Sequence, residues 1–134
     1  MIVADASFAG SWLLPDKASE TTVKILKKIL AAKEELAVPD LWSYEMLNLL
    51  LTAQKRRRIH EEELAEGIRI LQALPCIFYD HRTLLAKNRT VALARRFRLS
   101  AYDACYLELA DRLQCNLLSL DNALSKAAKV LGLQ

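Results

Sequence analysis

The sequence contains few of the residues that break regular structure or cross-link small domains. Its 134 residues include only three glycines, three prolines and three cysteines. So little glycine and proline excludes collagen-like and low-complexity chains and disfavours a turn-rich all-β protein. The cysteines form no Cys-x-x-Cys or Cys/His cluster, so we expect neither a disulfide framework nor a zinc site. We expect all three to be buried small hydrophobes in a reducing cytoplasm, at Cys76, Cys105 and Cys115.

Long apolar segments are also missing. The first four residues are apolar but lead directly to Asp5, without the basic and long hydrophobic regions of a signal peptide. The uncharged segment from Leu47 to Gln54 is far too short to cross a bilayer, so we expect no membrane partner. With 53% hydrophobic and 26% charged residues, the composition is that of a folded protein. We therefore expect residues 1–134 to form a single domain with its own core.

The charge balance is mildly basic. Nineteen Lys and Arg residues against 16 Asp and Glu residues give a net charge of +3, which allows a polyanionic partner but does not require one. The basic residues include two sets. The first is Lys55–Arg58, and the second, further along the chain, consists of Lys87, Arg89, Arg95, Arg96 and Arg98. Since basic residues at a helix C-terminus also stabilise the helix dipole, Lys55–Arg58 has a purely structural alternative.

Short apolar runs alternate with longer amphipathic segments. The runs predict strands at Ile2–Ala4, Leu36–Val38, Cys76–Tyr79 and Asn116–Leu120, while Val130–Leu133 fits a last strand or an apolar tail. The other segments predict helices at Ser7–Leu14, Ser19–Glu35, Asp40–Arg58, Glu61–Leu74, Thr83–Phe97, Ala101–Leu113 and Asn122–Lys129. Wholly apolar strands are typical of sheets covered on both faces. The pattern therefore predicts an α/β three-layer sandwich, with a short, mostly parallel central sheet flanked by helices.

Side-chain periodicity predicts which helix faces lie inside. Apolar spacing assigns an inner face to two helices, through Ile68, Leu71 and Leu74 in one and Leu84, Leu85, Val91, Leu93 and Ala94 in the other. On the helix Ala101–Leu113, we expect the solvent side to carry Glu108, Asp111 and Arg112.

Four acidic residues lie where a structural carboxylate is unusual. Asp5 and Asp121 each follow a predicted strand, and such sheets bind ligands at the carboxyl ends of their strands. Glu45 lies in a narrow polar stripe with Asn48, and Asp103 lies on the apolar side of its helix. Each has a structural alternative. Asp5 and Asp121 could cap the following helices, Glu45 could lie on a thin exposed edge, and Asp103 could accept bonds from its own first turn.

If these four carboxylates converge, they predict a cation site. Four negative charges in one cleft cannot all ionise at close range without a cation. Carboxylates with no nearby His or Cys ligand select a hard cation such as Mg²⁺ or Mn²⁺. A metal held by carboxylates in an open cleft most often serves phosphate chemistry.

Four segments make the chain resemble a PIN-domain ribonuclease, in particular the VapC-type toxins of prokaryotic toxin–antitoxin pairs. They span nearly the whole chain in the family's order, as Val3–Ser7 with Trp12–Pro15, Pro39–Asn48, Leu99–Ala110 and Leu117–Leu124. The resemblance implies a catalytic, metal-binding acidic quartet at Asp5, Glu45, Asp103 and Asp121. It also implies polar residues that support these carboxylates, at Ser7, Asn48 and Ser119.

The resemblance further implies an endoribonuclease that needs Mg²⁺ or Mn²⁺ and leaves a 5′-phosphate on the RNA product. Contacts with the RNA backbone are expected from Lys55, Arg56, Arg57, Arg95 and Arg96. Family members usually form homodimers and are silenced by an antitoxin protein, so both are expected partners. Candidates for the antitoxin groove, most of them better interpreted as core residues, are Trp12, Leu13, Leu14, Trp42, Leu49 and Leu50.

Two alternatives stay open beside the toxin. The chain could be a non-catalytic PIN-fold module that binds a partner or RNA, or a housekeeping nuclease that processes RNA. The complete acidic quartet argues against the module, because inward-facing carboxylates without a function only cost stability. A haloacid-dehalogenase-like phosphatase does not fit, since that chemistry needs Asp-x-Asp where this chain has Asp5-Ala6-Ser7.

Overall fold

Four short strands and seven helices alternate along the chain, which a computed structural model describes from Met1 to Gln134. The strands are β1 (Ile2–Ala4), β2 (Leu36–Pro39), β3 (Cys76–Tyr79) and β4 (Asn116–Leu118). The helices are α1 (Ala6–Gly10), α2 (Glu20–Leu30), α3 (Leu41–Lys55), α4 (Glu61–Ala73), α5 (Leu84–Phe97), α6 (Ala101–Leu113) and α7 (Asn122–Val130). None of these helices is long and apolar enough to span a membrane.

The strands form one parallel sheet in the order β3-β2-β1-β4. The chain moves from β1 outward through β2 and β3, and then returns to pair β4 with the other side of β1. The direction in which successive strands are added to the sheet therefore reverses between β1 and β4. In open α/β sheets the ligand crevice lies at such a point, outside the carboxyl ends of the strands. The predicted α/β fold with a parallel central sheet is confirmed.

The core lies on both faces of the sheet. Ala4, Leu36 and Val38 are completely buried, as expected for strands covered by helices on either side. Helix α6 packs against β1, β2 and β4 through its buried face, which includes Tyr106, Leu107 and Ala110. Five of the six candidates for an antitoxin groove are buried in this core, and only Leu49 is partly exposed.

Several predicted boundaries were wrong by one or more turns. Helix α1 ends at Gly10 rather than Leu14, and the chain then makes a 3-10 turn at Pro15–Lys17. Helix α2 ends at Leu30 rather than Glu35, because Ala32 adopts a left-handed conformation with φ of 53°. Asp40 precedes α3 in a helical conformation, but its side chain caps nothing.

The C-terminal strands are shorter than predicted. Strand β4 ends at Leu118, so Ser119 and Leu120 lie beyond the sheet. No strand forms at Val130–Leu133. Leu133 is instead buried as an apolar tail, and its carbonyl oxygen accepts a 2.8 Å hydrogen bond from the Leu117 amide.

Some predicted helix faces were also wrong. Leu84 and Leu85 are 74% and 81% exposed, and Val91 and Ile68 are exposed as well. Helix α5 contacts α6 through a narrower face, on which Ala86, Thr90 and Leu93 are buried. Glu108 is buried rather than solvent-facing, because Arg112 one turn later pairs with it at 2.9 Å. All three cysteines are half-buried rather than fully buried.

Candidate active site

Asp5 directly follows strand β1, and its side chain is only 4% exposed. Its carboxylate caps α1 by accepting a 2.8 Å hydrogen bond from the amide of Phe8. The hydroxyl of Ser7 contacts both carboxylate oxygens, at 2.8 and 2.9 Å. The hydroxyl of Ser119 donates to Oδ2 at 2.6 Å. Asp5 therefore does cap the following helix, as its structural alternative predicted. Its second carboxylate oxygen, Oδ2, is held by the hydroxyls of Ser7 and Ser119.

The two serines connect the ends of β1 and β4. The amide of Leu120 donates to the Ser7 hydroxyl at 2.8 Å, and the amide of Asp121 donates to the Ser119 hydroxyl at 3.0 Å. Asp121 is exposed and caps α7 by accepting from the Leu124 amide at 2.8 Å. The Ser119 hydroxyl thus links the backbone amide of Asp121 to the Asp5 carboxylate, whereas the Asp121 carboxylate itself caps α7.

Glu45 reaches the same region from helix α3. It is half-buried, and Oε2 accepts a hydrogen bond from the hydroxyl of Tyr106 on α6. Tyr106 itself is 1% exposed. This bond joins α3 to α6 and sets the position of the Glu45 carboxylate.

Asp103 lies in the first turn of α6, one turn before Tyr106. The helix begins after Ser100, whose hydroxyl accepts a 3.1 Å hydrogen bond from the amide of Asp103. The cap is therefore provided by Ser100, not by the Asp103 carboxylate. That carboxylate is half-buried and no side-chain or backbone donor of the chain bonds it, which leaves it available for a ligand.

The negative charge of Asp103 acts on the carboxylates of both Asp5 and Glu45. Burial raises the pKa of Asp5, the hydrogen bonds from Ser119, Phe8 and Ser7 oppose the rise, and the charge of Asp103 adds to it. Burial also raises the pKa of Glu45, against the hydrogen bond from Tyr106, and the charges of Asp103 and Asp5 raise it further. Three acidic side chains from β1, α3 and α6 therefore share one region in which negative charge is disfavoured.

Tyr106 is the site residue that the sequence reasoning did not identify as polar and functional. Its pKa is strongly raised, first by burial and then by the hydrogen bond to Glu45, so it stays a protonated donor. The signal was its spacing of three residues from Asp103, which places both on one face of α6. That spacing alone indicated a core aromatic residue equally well.

The donor set fits a hard cation. Oxygen ligands from carboxylates suit Mg²⁺ and Mn²⁺, and a cation would stabilise the charged forms of Asp5 and Glu45, which burial and, to a smaller extent, the neighbouring carboxylates disfavour. No three acidic, histidine or cysteine side chains converge into a preformed ligand cluster. Mg²⁺ does not require one, since it is usually held by one or two carboxylates together with water and substrate phosphate oxygens.

A groove of about 320 Å³ begins at Glu45. Asn48 lies on its wall but contacts none of the acidic residues by a hydrogen bond. Of the basic residues predicted to contact RNA, only Arg56 lines the groove, whereas Lys55 and Arg57 do not. Arg95 and Arg96 are exposed on α5, and the Arg96 guanidinium lies 4.8 Å from the ring centre of Phe97.

Comparison with known proteins identifies the family. Residues 2–130 match the PIN domain. The chain belongs to the PIN-domain family. The match covers the strands β1 to β4 and the four acidic positions at Asp5, Glu45, Asp103 and Asp121.

Relatives of this PIN-domain chain include ribonucleases named VapC. It is 35% identical to ribonuclease VapC9 of Mycobacterium tuberculosis over 130 residues, which cover 93% of this chain and 89% of that one. It is 27% identical to ribonuclease VapC3 of Pyrobaculum aerophilum over 125 residues, covering 93% and 92% of the two chains. The crystal structure of PAE2754 from the same organism shares the fold, with a TM-score of 0.71 at 18% identity over 98% of this chain and 86% of that one. The predicted resemblance to VapC-type PIN proteins is confirmed.

Proposed function

We propose that this PIN-domain protein is an endoribonuclease that depends on Mg²⁺ or Mn²⁺ and acts as the toxin of a toxin–antitoxin pair. The observation that carries the proposal is the proximity of Asp5 after β1, Glu45 on α3 and Asp103 on α6, where the Asp103 charge adds to the effect of burial in raising the pKa of both Asp5 and Glu45. The relatives named VapC ribonucleases support RNA as the substrate and an antitoxin as the protein partner. The expected homodimer is a prediction that light scattering on the purified protein measures.

Each acidic residue has a proposed task. Asp5, Asp103 and Asp121 hold the cation directly or through water, and Glu45 holds a second cation or orients the attacking water. A divalent cation bound there supplies Lewis-acid activation of water and neutralises charge on the phosphate. Glu45 is suited to accept the proton of that water, since its raised pKa makes it a stronger base than an ordinary glutamate.

The reaction is a hydrolysis of the RNA backbone. The water oxygen attacks phosphorus in line with the 3′ oxygen, the new oxygen–phosphorus bond forms, and the bond from phosphorus to the 3′ oxygen breaks. The leaving 3′ oxygen takes a proton from solvent water, so that the products carry a 5′-phosphate and a 3′-hydroxyl. This assignment requires the carboxylates to keep their positions while charge develops, which is the proposed role of the polar residues around them.

The positioning residues act through hydrogen bonds already present. Ser7 and Ser119 hold Asp5, and Tyr106 holds Glu45. Asn48 lies one turn after Glu45 on the same face of α3, where it is placed to orient substrate or water. None of these residues supplies charge, so their loss is expected to weaken the activity rather than abolish it.

The proposal is tested by RNA cleavage with Mg²⁺, Mn²⁺ or EDTA, on a pool of structured RNAs with mapped product ends. Asp103→Asn is the sharpest variant, because its carboxylate has no hydrogen bond in the fold, whereas Asp5 also caps α1. Asp111→Asn is the matched control on the same helix, since Asp111 pairs with Arg89 outside the site. We expect cleavage only with metal, a loss of about 100-fold or more in Asp103→Asn and little change in Asp111→Asn. Equal cleavage by all three proteins, or cleavage in EDTA, would contradict the proposal.

A further inference from the structure

The groove that starts at Glu45 is lined with basic residues at its other end. Lys17, Arg56 and Arg58 line it, against the single carboxylate of Glu45. The remaining polar residues of its walls are uncharged, Asn48 and Thr52. The groove therefore leads from an acidic end at the candidate active site to a basic end.

One wall of the groove is a single face of helix α3. Glu45, Asn48, Thr52 and Arg56 follow one another at spacings of three and four residues. Glu45 and Arg56 are eleven residues apart, which corresponds to roughly 16 Å along the helix axis. The narrow polar stripe that the sequence shows on α3 is thus the wall of a continuous path.

The groove is also lined by Lys17, from the 3-10 turn at Pro15–Lys17. Lys17 ends this turn, and the neighbouring Asp16 binds Arg58 at 2.5 Å. That ion pair ties the turn to the chain segment that follows α3. Lys17 and Arg56 are both exposed and form no ion pair within the chain, so their charges are free for an external anion.

We propose that this groove is a subsite for the phosphate backbone of single-stranded RNA, in which Lys17 and Arg56 bind phosphates away from the cleaved bond. The inference rests on the proposed function and adds the path that the substrate takes out of the active site. Basic grooves that track a single strand bind it mainly through its phosphates.

The lining also defines what the subsite recognises. It contains no aromatic side chain, so it offers no surface on which bases stack. Asn48 and Thr52 offer hydrogen-bonding groups to phosphate and ribose oxygens. The subsite therefore binds RNA without regard to base identity, and any preference for sequence arises elsewhere in the site.

The length of the groove sets the length of RNA that uses it. A stacked strand rises about 3.4 Å per nucleotide, so roughly 16 Å corresponds to about five nucleotides, and to fewer in an extended strand. A dinucleotide that fills the acidic end does not reach Arg56. Long single strands should consequently bind through Lys17 and Arg56, and dinucleotides should not.

The experiment is a binding titration of fluorescent RNA in EDTA, where no cleavage is expected, at several salt concentrations. The probes are a long oligouridylate and the dinucleotide UpU, with the wild type, Lys17→Gln and Arg56→Gln. Arg57→Gln is the matched neighbour, because it removes the same charge one residue outside the groove. Arg69→Gln, on the exposed face of α4, controls for net charge. Thermal unfolding verifies that each variant is folded.

We expect Lys17→Gln and Arg56→Gln each to weaken binding of the oligouridylate several-fold and to reduce the slope of log affinity against log salt by about 0.7. UpU binding should be the same in all variants, and Arg69→Gln should behave as wild type. An equal loss in Arg56→Gln and Arg57→Gln, or an unchanged slope in Lys17→Gln and Arg56→Gln, overturns the subsite.

The outcome is separable from that of the proposed function. If the wild type cleaves RNA with metal but the groove variants bind RNA as the wild type does, only the subsite proposal is contradicted. If the slopes change as expected but no metal supports cleavage, the groove is an RNA-binding site and the nuclease proposal falls.

Discussion

The hydroxyl of Ser119, just after β4, donates a 2.6 Å hydrogen bond to Oδ2 of Asp5, just after β1. The two residues are 114 positions apart in the chain. Their contact lies where the strand order reverses, which is the point at which open α/β sheets bind ligands. The bond lowers the pKa of Asp5 against the effect of burial, and so helps keep this carboxylate ionised.

Replacing Ser119 therefore tests whether this bond positions Asp5. Ser119→Ala should reduce RNA cleavage by about 10-fold and lower the free energy of unfolding by about 1 kcal/mol. Ser119→Thr keeps the hydroxyl and should restore most of the activity. Cleavage rates and chemical denaturation measure both effects. Equal activity in the Ala and Thr variants would show that the hydroxyl does not matter.

The hydrogen bond from Tyr106 to Glu45 leads to a prediction about pH. Tyr106→Phe removes the only hydrogen bond that lowers the pKa of Glu45, so that pKa should rise further. If ionised Glu45 accepts the proton of the water, the acidic limb of the pH–rate profile should move to higher pH. Phe fills the same space, so the fold should survive with a loss of about 1 kcal/mol. A lower rate without a shift in the acidic limb of the pH–rate profile would show that Tyr106 has a purely structural role.

The repulsion among the carboxylates leads to a prediction about stability. The pKa values of Asp5 and Glu45 are higher in the folded than in the unfolded protein. Their favourable contribution to the free energy of unfolding is therefore complete at a pH below their pKa in the unfolded chain. It is lost as the pH rises through their pKa in the folded protein. Asp103→Asn removes a charge that raises both. In EDTA at neutral pH this variant should therefore unfold at a higher temperature than the wild type.

The same measurement at acid pH is the internal control. Where the carboxyl groups are protonated in both proteins, the difference in Tm between Asp103→Asn and wild type should disappear. Asp111→Asn should not raise Tm at any pH, because it loses an ion pair to Arg89. A destabilised Asp103→Asn protein at neutral pH would mean that the three side chains do not repel one another.

Cys76 leads to a prediction independent of the active site. Burial raises the pKa of its thiol to about 11. The thiolate is the reactive form, so alkylation by iodoacetamide near pH 8 should be roughly 100-fold slower in the folded protein than in urea. Mass spectrometry of the labelled peptides measures the two rates. Equal rates would show that Cys76 is not shielded.

Much of the fold could be predicted from local sequence. Strand β3 and helix α6 begin and end at the residues that the sequence pattern predicted. Pro75 and Asp80 flank the strand, and Ser100 and Gln114 flank the helix. The inner face of α5 could not be predicted this way. Leu84 and Leu85 supply apolar surface, but the sequence does not show that α6 packs on the small face around Ala86 and Leu93.

The acidic residues of the candidate site could be predicted from the sequence, but the contacts that they make with other parts of the chain could not. Asp5, Glu45 and Asp103 were identifiable because carboxylates at strand ends and inward helix faces are unusual. Tyr106 was hidden among core aromatics, and Lys17 was hidden because α1 stops early and the following 3-10 turn carries it to the groove. Contacts between distant segments of the chain decide such roles, and local patterns do not encode them.

The proposed function depends most on Asp103 binding a divalent cation together with Asp5, next to the carboxylate of Glu45. Calorimetric titration of metal-free protein with Mn²⁺ tests it most directly, because it requires no knowledge of the RNA. The wild type and Asp111→Asn should bind Mn²⁺ with equal affinity, and this affinity should fall as the pH is lowered, since protons compete with the metal for carboxyl groups whose pKa is raised. Asp103→Asn should bind at least about 10-fold more weakly. Equal affinity in Asp103→Asn and the wild type would contradict the account.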